Sequence, residues 1–383
     1  MVPHPPPGPA RRRLVALCTV AVIALIAGIA VGAGGDSDDD ASTTPAAVQP
    51  PAKAVAKAKT LSLRRQIGEV LMVAFPGTTP PGYLQRALRA GRVGGVILFG
   101  GNATSPQVTS ALTHQIQRAA RGRALIATDQ EGGSIRILDW AAPDKSQGAT
   151  PTEFEAKRQA TQAARDLTAA GVNVTLAPVA DVGGSGSVMQ GRAFPGGASD
   201  VAALTKAAVS GYDDTKVAPT LKHFPGLGAA GTNTDDGPVT ISSPAAAITT
   251  RDLPPFAAGI KAGAPLVMAS HALYTGLDRR NIASQSKPIL TTLLRRKLGF
   301  KGVVITDSME ADAVLKRSSI QIAALRSISA GADLLLLTGP GSWPIVAKQL
   351  QVAATRSARF RARIAEAAAR VIALKRSLGL RGV

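Results

Sequence analysis

The sequence predicts an α/β protein of the (β/α)8 TIM-barrel class with irregular strands, and three observations carry that expectation. First, eight short β-branched and aliphatic runs recur in order: Leu71–Phe75, Val93–Phe99, Ala124–Thr128, Val172–Leu176, Val217–Lys222, Leu266–Ser270, Val303–Thr306 and Asp333–Leu337. Near-continuous apolar runs of this length suit parallel strands covered on both faces. Second, stretches such as "TEFEAKRQATQAARDLTAAG" and "DAVLKRSSIQIAALRSISAG" lie between them, with helical spacing and a closing glycine. Third, polar residues collect where the runs end: Asp129, Asp181, Lys222 with His223, His271 and Asp307. A barrel opens all its strand C-termini on one face, the face that hosts chemistry. A doubly wound sheet fits less well, since no glycine-rich dinucleotide turn follows the first run.

Ahead of the barrel, residues 1–33 are expected to be a signal peptide or an N-terminal membrane anchor. Arg11–Arg13 precede the uncharged apolar run Leu14–Val31, which as a helix would cover about 27 Å, enough for a bilayer core. The basic flank belongs on the cytoplasmic side, which places the remainder outside. Val31-Gly32-Ala33 reads as a small-residue cleavage site, so cleaved and anchored forms both stay open. Cys18, preceded by Leu17, lacks the setting of a lipid-attachment cysteine. Residues 34–60 are poor in bulky apolar residues and rich in Asp, Pro, Ala and Lys, and are expected to be a disordered linker. The folded domain is then 61–383.

With 45% hydrophobic and 3% aromatic residues, the core must be built from Ala, Val, Leu and Ile. One cysteine excludes an intramolecular disulfide framework and a Cys-based zinc site, and four histidines argue against a structural metal. No metal or organic cofactor is called for. The formal charge is +19; residues 1–59 hold six Lys/Arg and four Asp, so +17 belongs to 60–383. Such a field attracts polyanions. No nucleic-acid motif accompanies it, so nucleic acid is not expected as a partner and the charge reads as a basic solvated surface. Segment 355–381 carries eight Lys/Arg against Glu366 and is expected to cover the barrel with a solvated basic face.

Two motifs point to chemistry. "ATDQEGGSIRIL" (127–138) ends the third run with Asp129 and Glu131 before two glycines; carboxylates accept paired hydrogen bonds from vicinal hydroxyls, and glycine lets backbone approach a ligand. The bland reading is a capped loop. "GVVITDSMEADAV" (302–314) sets Asp307 at a strand end before a helix. There it is either a helix N-cap or a nucleophile able to attack an anomeric carbon.

Taken in order, "LMVAFPG", "GGVILF", "DQEGG", "LAPVADV", "GRAFPG", "KHFPGLG", "MASHALY", "KPILTTLLRRKLGFKGVVITDSME" and "GADLLLL" resemble glycoside hydrolase family 3, most of all its single-domain β-N-acetylhexosaminidase branch. The resemblance runs across 61–383. It implies Asp307 as nucleophile, with Asp129, Arg192, Lys222 and His223 binding sugar hydroxyls. Asp181 reads as a pin for its own loop and is not placed in the site.

Two departures bear on this. Family members carry an Arg where this chain has Ile137; Arg136 stands one position early as a weak substitute. The branch also ends the loop after "KHFPG" in Asp-Ser-His, whose imidazole protonates the leaving oxygen. Here that stretch is Thr234-Asp235-Asp236-Gly237, so the orienting Asp is kept as Asp235 and the histidine position is a glycine. A proton donor is still needed. Asp235 or Asp236 is expected to serve, its pKa raised by burial and by Asp307; alternation along an extended segment lets only one face the sugar, and Asp235 is preferred. Glycines 226, 228 and 231 read as the joints of a mobile lid, and Trp140 and Phe194 as candidate sugar-stacking faces.

The expectation is an extracytoplasmic, membrane-anchored or secreted retaining exo-glycosidase acting on terminal β-linked N-acetylhexosamine, N-acetylglucosamine first, in cell-wall-type glycans. A β-glucosidase-like specificity is one alternative. A noncatalytic glycan-binding protein, suggested by the lost histidine, is another.

Overall fold

The computed structural model describes residues 49–382. The expected leader 1–33 and residues 34–48 of the expected linker lie outside the described residues. Among the described residues, no helix is long and apolar enough to cross a membrane.

All eight expected runs form strands: β1 Leu71–Val73, β2 Gly95–Leu98, β3 Leu125–Thr128, β4 Val174–Thr175, β5 Ala218–Phe224, β6 Leu266–Ala269, β7 Val303–Ser308 and β8 Leu334–Leu337. They pair in parallel and in sequence order, and β1 meets β8 through Leu71↔Leu335, which closes the barrel. Alternation along each strand decides which layer a residue joins. Met72, Ile97, Leu125 and Leu336 point into the lumen, while Leu71, Val96, Ile126 and Leu335 face the surrounding helices. Every one of these is buried.

Two strands run longer than expected. β5 continues to Phe224 and β7 to Ser308, so Lys222, His223 and Asp307 lie within strands. Pairing slips register between Leu221 and Phe224 and between Ile305 and Ser308. Irregularities of this kind re-aim side chains at barrel rims, and these two sit at the residues of interest.

The other end of the lumen is sealed. Val371, Leu374 and Leu378 pack among the lumen side chains, the first two from the helix Ala358–Ser377. Segment 355–381 presents the expected basic face at the exposed Arg356, Arg359, Arg361, Arg376 and Arg381, while Arg370 and Lys375 depart from it and are buried. Lys375 pairs with Glu69 at 2.5 Å and Arg370 with Glu366 at 2.6 Å, as burial of a charge demands.

The boundary at residue 60 also moves. Ala52–Thr60 is a helix whose Ala54 and Ala58, one turn apart, are buried, and it packs on Ala358–Ser377. Small side chains let two helix backbones approach closely, so little bulky apolar surface is needed to order this segment.

Candidate active site

At the strand C-terminal face lies a cavity of about 440 Å³, within the range of small-ligand sites. Side chains from seven of the eight βα connections or strand ends reach it: Phe99 after β2, Asp129 and Glu131 after β3, Arg192 after β4, Lys222, His223 and Asp235 from β5 and its loop, Met268 from β6, Asp307 from β7, and Thr338 after β8.

One wall is an ion network. Glu131 sits on the hairpin Gln130–Gly132/Ile135–Arg136, which the Gln130 side chain ties to the backbone of Leu138, Ala141 and Ala142. Its carboxylate accepts two bonds from Arg192, at 2.9 and 2.7 Å, and faces Lys222 Nζ at 2.7 Å. Lys222 Nζ also donates to Asp129 Oδ1 at 2.7 Å. Burial pushes the Glu131 carboxyl up, but Lys222 and Arg192 outweigh it and hold the group at about 2. Burial lowers Lys222 too, and the two carboxylates reverse that, so the lysine stays charged.

His223 is oriented from behind. Its Nδ1 donates to Asp181 Oδ2 at 2.8 Å, since a carboxylate only accepts, and this leaves Nε2 as the ring's second polar atom. Asp181 Oδ1 accepts the N–H groups of His223 and Leu227. Asp181 thus fixes both the imidazole and the start of the next loop. His271 is bridged in the same manner: Nε2 donates to the Ser308 carbonyl at 2.9 Å, so Nδ1 accepts from Ser284 Oγ at 2.8 Å. Burial holds His271 below its usual pKa.

Asp307 and Asp235 share the cavity and diverge electrostatically. Burial raises Asp307, but His223, His271, the Ser308 N–H and Lys222 more than compensate, and its pKa falls below the usual carboxylate value. For Asp235 desolvation and the charge of Asp307 act in the same direction, and its pKa is raised. The loop bearing Asp235 is anchored. The carbonyls of Thr234 and Asp235 accept from Ala313 and Asp312 at 3.1 and 3.2 Å, on the segment that follows Asp307. Asn233 closes a local turn with Asp235 through two further bonds.

The structure brings Asp129, Arg192, Lys222, His223, Asp235 and Asp307 into one cavity. It leaves two expected residues out. Arg136 does not line the cavity; its guanidinium pairs with the exposed Asp144, because the hairpin turns Ile135 and Ile137 inward instead. Asp236 does not line it either; residues 234–236 form a turn, closed by the Asp236 N–H on the Asn233 carbonyl at 3.2 Å, in place of the expected extended segment. Gly226 and Gly228 of the loop are packing devices and not joints, whereas Gly231 is exposed and unconstrained. A Cβ on Gly228 would sit 1.9 Å from the Val182 carbonyl, and one on Gly226, at φ +130°, would meet Asp252 at 2.5 Å. Phe194 belongs to the apolar core and the half-buried Trp140 packs against it; Phe99 lines the cavity in their stead.

Sequence reasoning paired Glu131 with Asp129 as a carboxylate able to bind hydroxyls but left it out of the site residues, although a spacing of two on an extended segment puts both on one side. It also missed Glu310, whose Oε2 accepts the Thr338 N–H at 2.8 Å and whose buried Oε1 has no protein partner. Among the described residues no group of three or more His, Cys, Asp or Glu is placed to hold a metal.

Residues 62–374 match the Glycosyl hydrolase family 3 N terminal domain. A Beta-hexosaminidase of Xanthomonas oryzae is 32% identical over 292 residues, covering 74% of this chain and 86% of that protein. An uncharacterized secreted glycosyl hydrolase of Arthroderma benhamiae is 34% identical over 302 residues, covering 75% and 85%. The β-N-acetylhexosaminidase of Beutenbergia cavernae superposes with a TM-score of 0.75 at 33% identity, over 82% of this chain and 98% of that one. The family 3 β-N-acetylglucosaminidase of a Paenibacillus species superposes at 0.78 and 28% identity over 84% of this chain, which spans only 64% of that longer protein. This chain belongs to glycoside hydrolase family 3, on its β-N-acetylhexosaminidase-like branch, and is a glycoside hydrolase.

Proposed function

We propose that the protein is a retaining exo-β-N-acetylglucosaminidase that works outside the cytoplasm on wall-type glycans, with Asp307 as nucleophile and Asp235 as acid/base. The observation that supports this best is the opposite displacement of two carboxylates in one cavity, Asp307 downward and Asp235 upward. Paired carboxyls pushed apart in this way divide the nucleophilic and proton-donating roles. In the first step an Asp307 oxygen bonds to C1 while the C1–O glycosidic bond breaks. The Asp235 proton passes to the departing oxygen, giving a glycosyl ester and a free alcohol. In the second, water attacks C1, its proton goes to Asp235, and the ester opens to regenerate both carboxyl groups.

Asp129, Lys222 and Arg192 supply the charged partners for sugar hydroxyls. The spare Oε1 of Glu310 is a buried acceptor that a hydroxyl or amide N–H of the sugar would satisfy. The membrane-spanning or cleaved nature of the leader rests on its sequence pattern alone, and the secreted Arthroderma relative favours export.

Rates on chromogenic N-acetyl-β-glucosaminide and β-glucoside, measured side by side, test the reading. The expected result is turnover of the amino sugar that Asp307→Asn abolishes. Preference for the glucoside would assign the β-glucosidase alternative, and saturable sugar binding without turnover would assign the binding-protein one.

A further inference from the structure

At the opposite end of the barrel, around the entry to β8, lies a second and larger cavity of about 820 Å³. It is bounded by the helices Ala52–Thr60, Pro288–Lys297 and Ala358–Ser377. Its wall is strongly cationic. Arg295, Arg363 and Arg370 line it and share one buried carboxylate, that of Asp333, with Arg363 at 2.7 Å and Arg370 at 3.5 Å. Four more cations, Lys59, Lys287, Arg296 and Arg359, line it without an ion pair among the described residues. Among the described residues, Glu366 is the single acid on the wall. Burial above all, with smaller contributions from Arg370 and Arg363, holds Arg295 down at about 10 despite Asp333.

Two donor atoms here are buried and make no hydrogen bond, Nε of Arg296 and Nη1 of Arg363, the latter reaching only a 3.6 Å ion pair with Glu366. Buried charged donors without acceptors are costly, and an anion in the cavity would remove that cost. Guanidinium groups are suited to phosphate because their planar forks bond two oxygens at once. The cavity is also met by the N-terminus of Ala358–Ser377 through Ser357 and Arg359, whose dipole favours negative charge.

We propose that this basal cavity binds a phosphodiester-linked polyol chain, and thereby holds the enzyme on an anionic polymer while the opposite face cleaves sugar. The volume exceeds what a single phosphate fills, so consecutive linkages are the better match. Among the described residues the only aromatic side chain on the wall is Phe360, too little stacking surface for a nucleic acid. The cations line a recess and not a projecting face, which disfavours a flat bilayer of headgroups.

Calorimetric titration of the full chain with a soluble poly(glycerol phosphate) oligomer tests the proposal. The expected result is saturable, salt-sensitive binding that a Lys287→Gln, Arg296→Gln, Arg359→Gln variant weakens by more than about ten-fold. The variant should keep the parent's thermal midpoint and its rate on a small chromogenic glycoside. A control variant lacking three exposed cations elsewhere, Arg86→Gln, Arg89→Gln and Arg118→Gln, should bind like the parent. Three outcomes overturn the proposal: equal weakening in both variants, undiminished affinity in the cavity variant, or binding to phosphatidylglycerol vesicles but not to the soluble oligomer. Because binding and cleavage are read separately, failure here leaves the hydrolase reading standing, and the reverse holds too.

Discussion

Burial by itself would push both Asp307 and Asp235 toward the protonated form, so the difference between them comes from their neighbours. Asp307 has His223, His271 and Lys222 around it, whereas Asp235 has Asp307. The pH profile should carry both signs. Activity should fall at low pH as Asp307 takes a proton, below the ordinary carboxylate range, and fall again as pH rises through the raised pKa of Asp235. In kcat/KM profiles, Asp235→Asn should erase the second limb; a basic limb that persists would assign the donor elsewhere. The same variant should lose about 10²–10⁴-fold on alkyl glycosides but far less on aryl glycosides that need no protonation. Glu310→Gln tests the spare acceptor: KM should rise several-fold with kcat little changed, and an unaltered KM would remove Glu310 from sugar binding. The role of Asp307 as nucleophile came from the family resemblance, since the strand end alone left a helix N-cap equally open. Its place at a strand end could be read from the run Val303–Thr306 before it. The direction of Arg136 could not, since it depends on which side of a short hairpin faces the barrel axis. Nor could the partnership of Asp181 with His223, forty-two positions apart.

At the level of elements, the hairpin that carries Glu131 is held by charge. Glu131→Gln leaves Lys222 and Arg192 short of a buried partner, and removing one member of such a network costs about 3–5 kcal/mol. Chemical denaturation should show a loss of that order. Because Glu131 is held at about 2, against an ordinary value of about 4.3, its contribution is complete above the ordinary value and is lost as pH falls toward 2. Acid unfolding of the variant should therefore be shallower over that interval. The loop after β5 makes a second case. Gly228→Ala places a methyl group on the Val182 carbonyl, and the thermal midpoint should drop by a few degrees, about 1–3 kcal/mol of overpacking. An unchanged midpoint would restore the lid with mobile joints. The strands were readable because parallel, doubly covered strands are uniformly apolar. Their overruns at β5 and β7 were not, because polar residues ended the pattern while the backbone pairing went on.

For the molecule as a whole, the chain extends the folded body upstream of where composition placed its start. A protein beginning at residue 49 should melt higher than one beginning at residue 61, because only the first keeps Ala54 and Ala58 against the last helix; equal midpoints would return Ala52–Thr60 to a linker. Composition missed this helix since alanine and lysine signal little burial, although two alanines suffice at a close helix contact. Charge is likewise unevenly spent: the reaction face balances its cations with Asp129, Glu131, Asp181 and Asp307, while the basal cavity leaves four without an ion pair among the described residues. The account as a whole stands on covalent attack by Asp307, and the direct test is peptide mass analysis of the Asp235→Asn protein after reaction with an aryl N-acetyl-β-glucosaminide. The prediction is one N-acetylhexosaminyl adduct on the peptide containing Asp307; an unmodified peptide there, with turnover retained in Asp307→Asn, would contradict it.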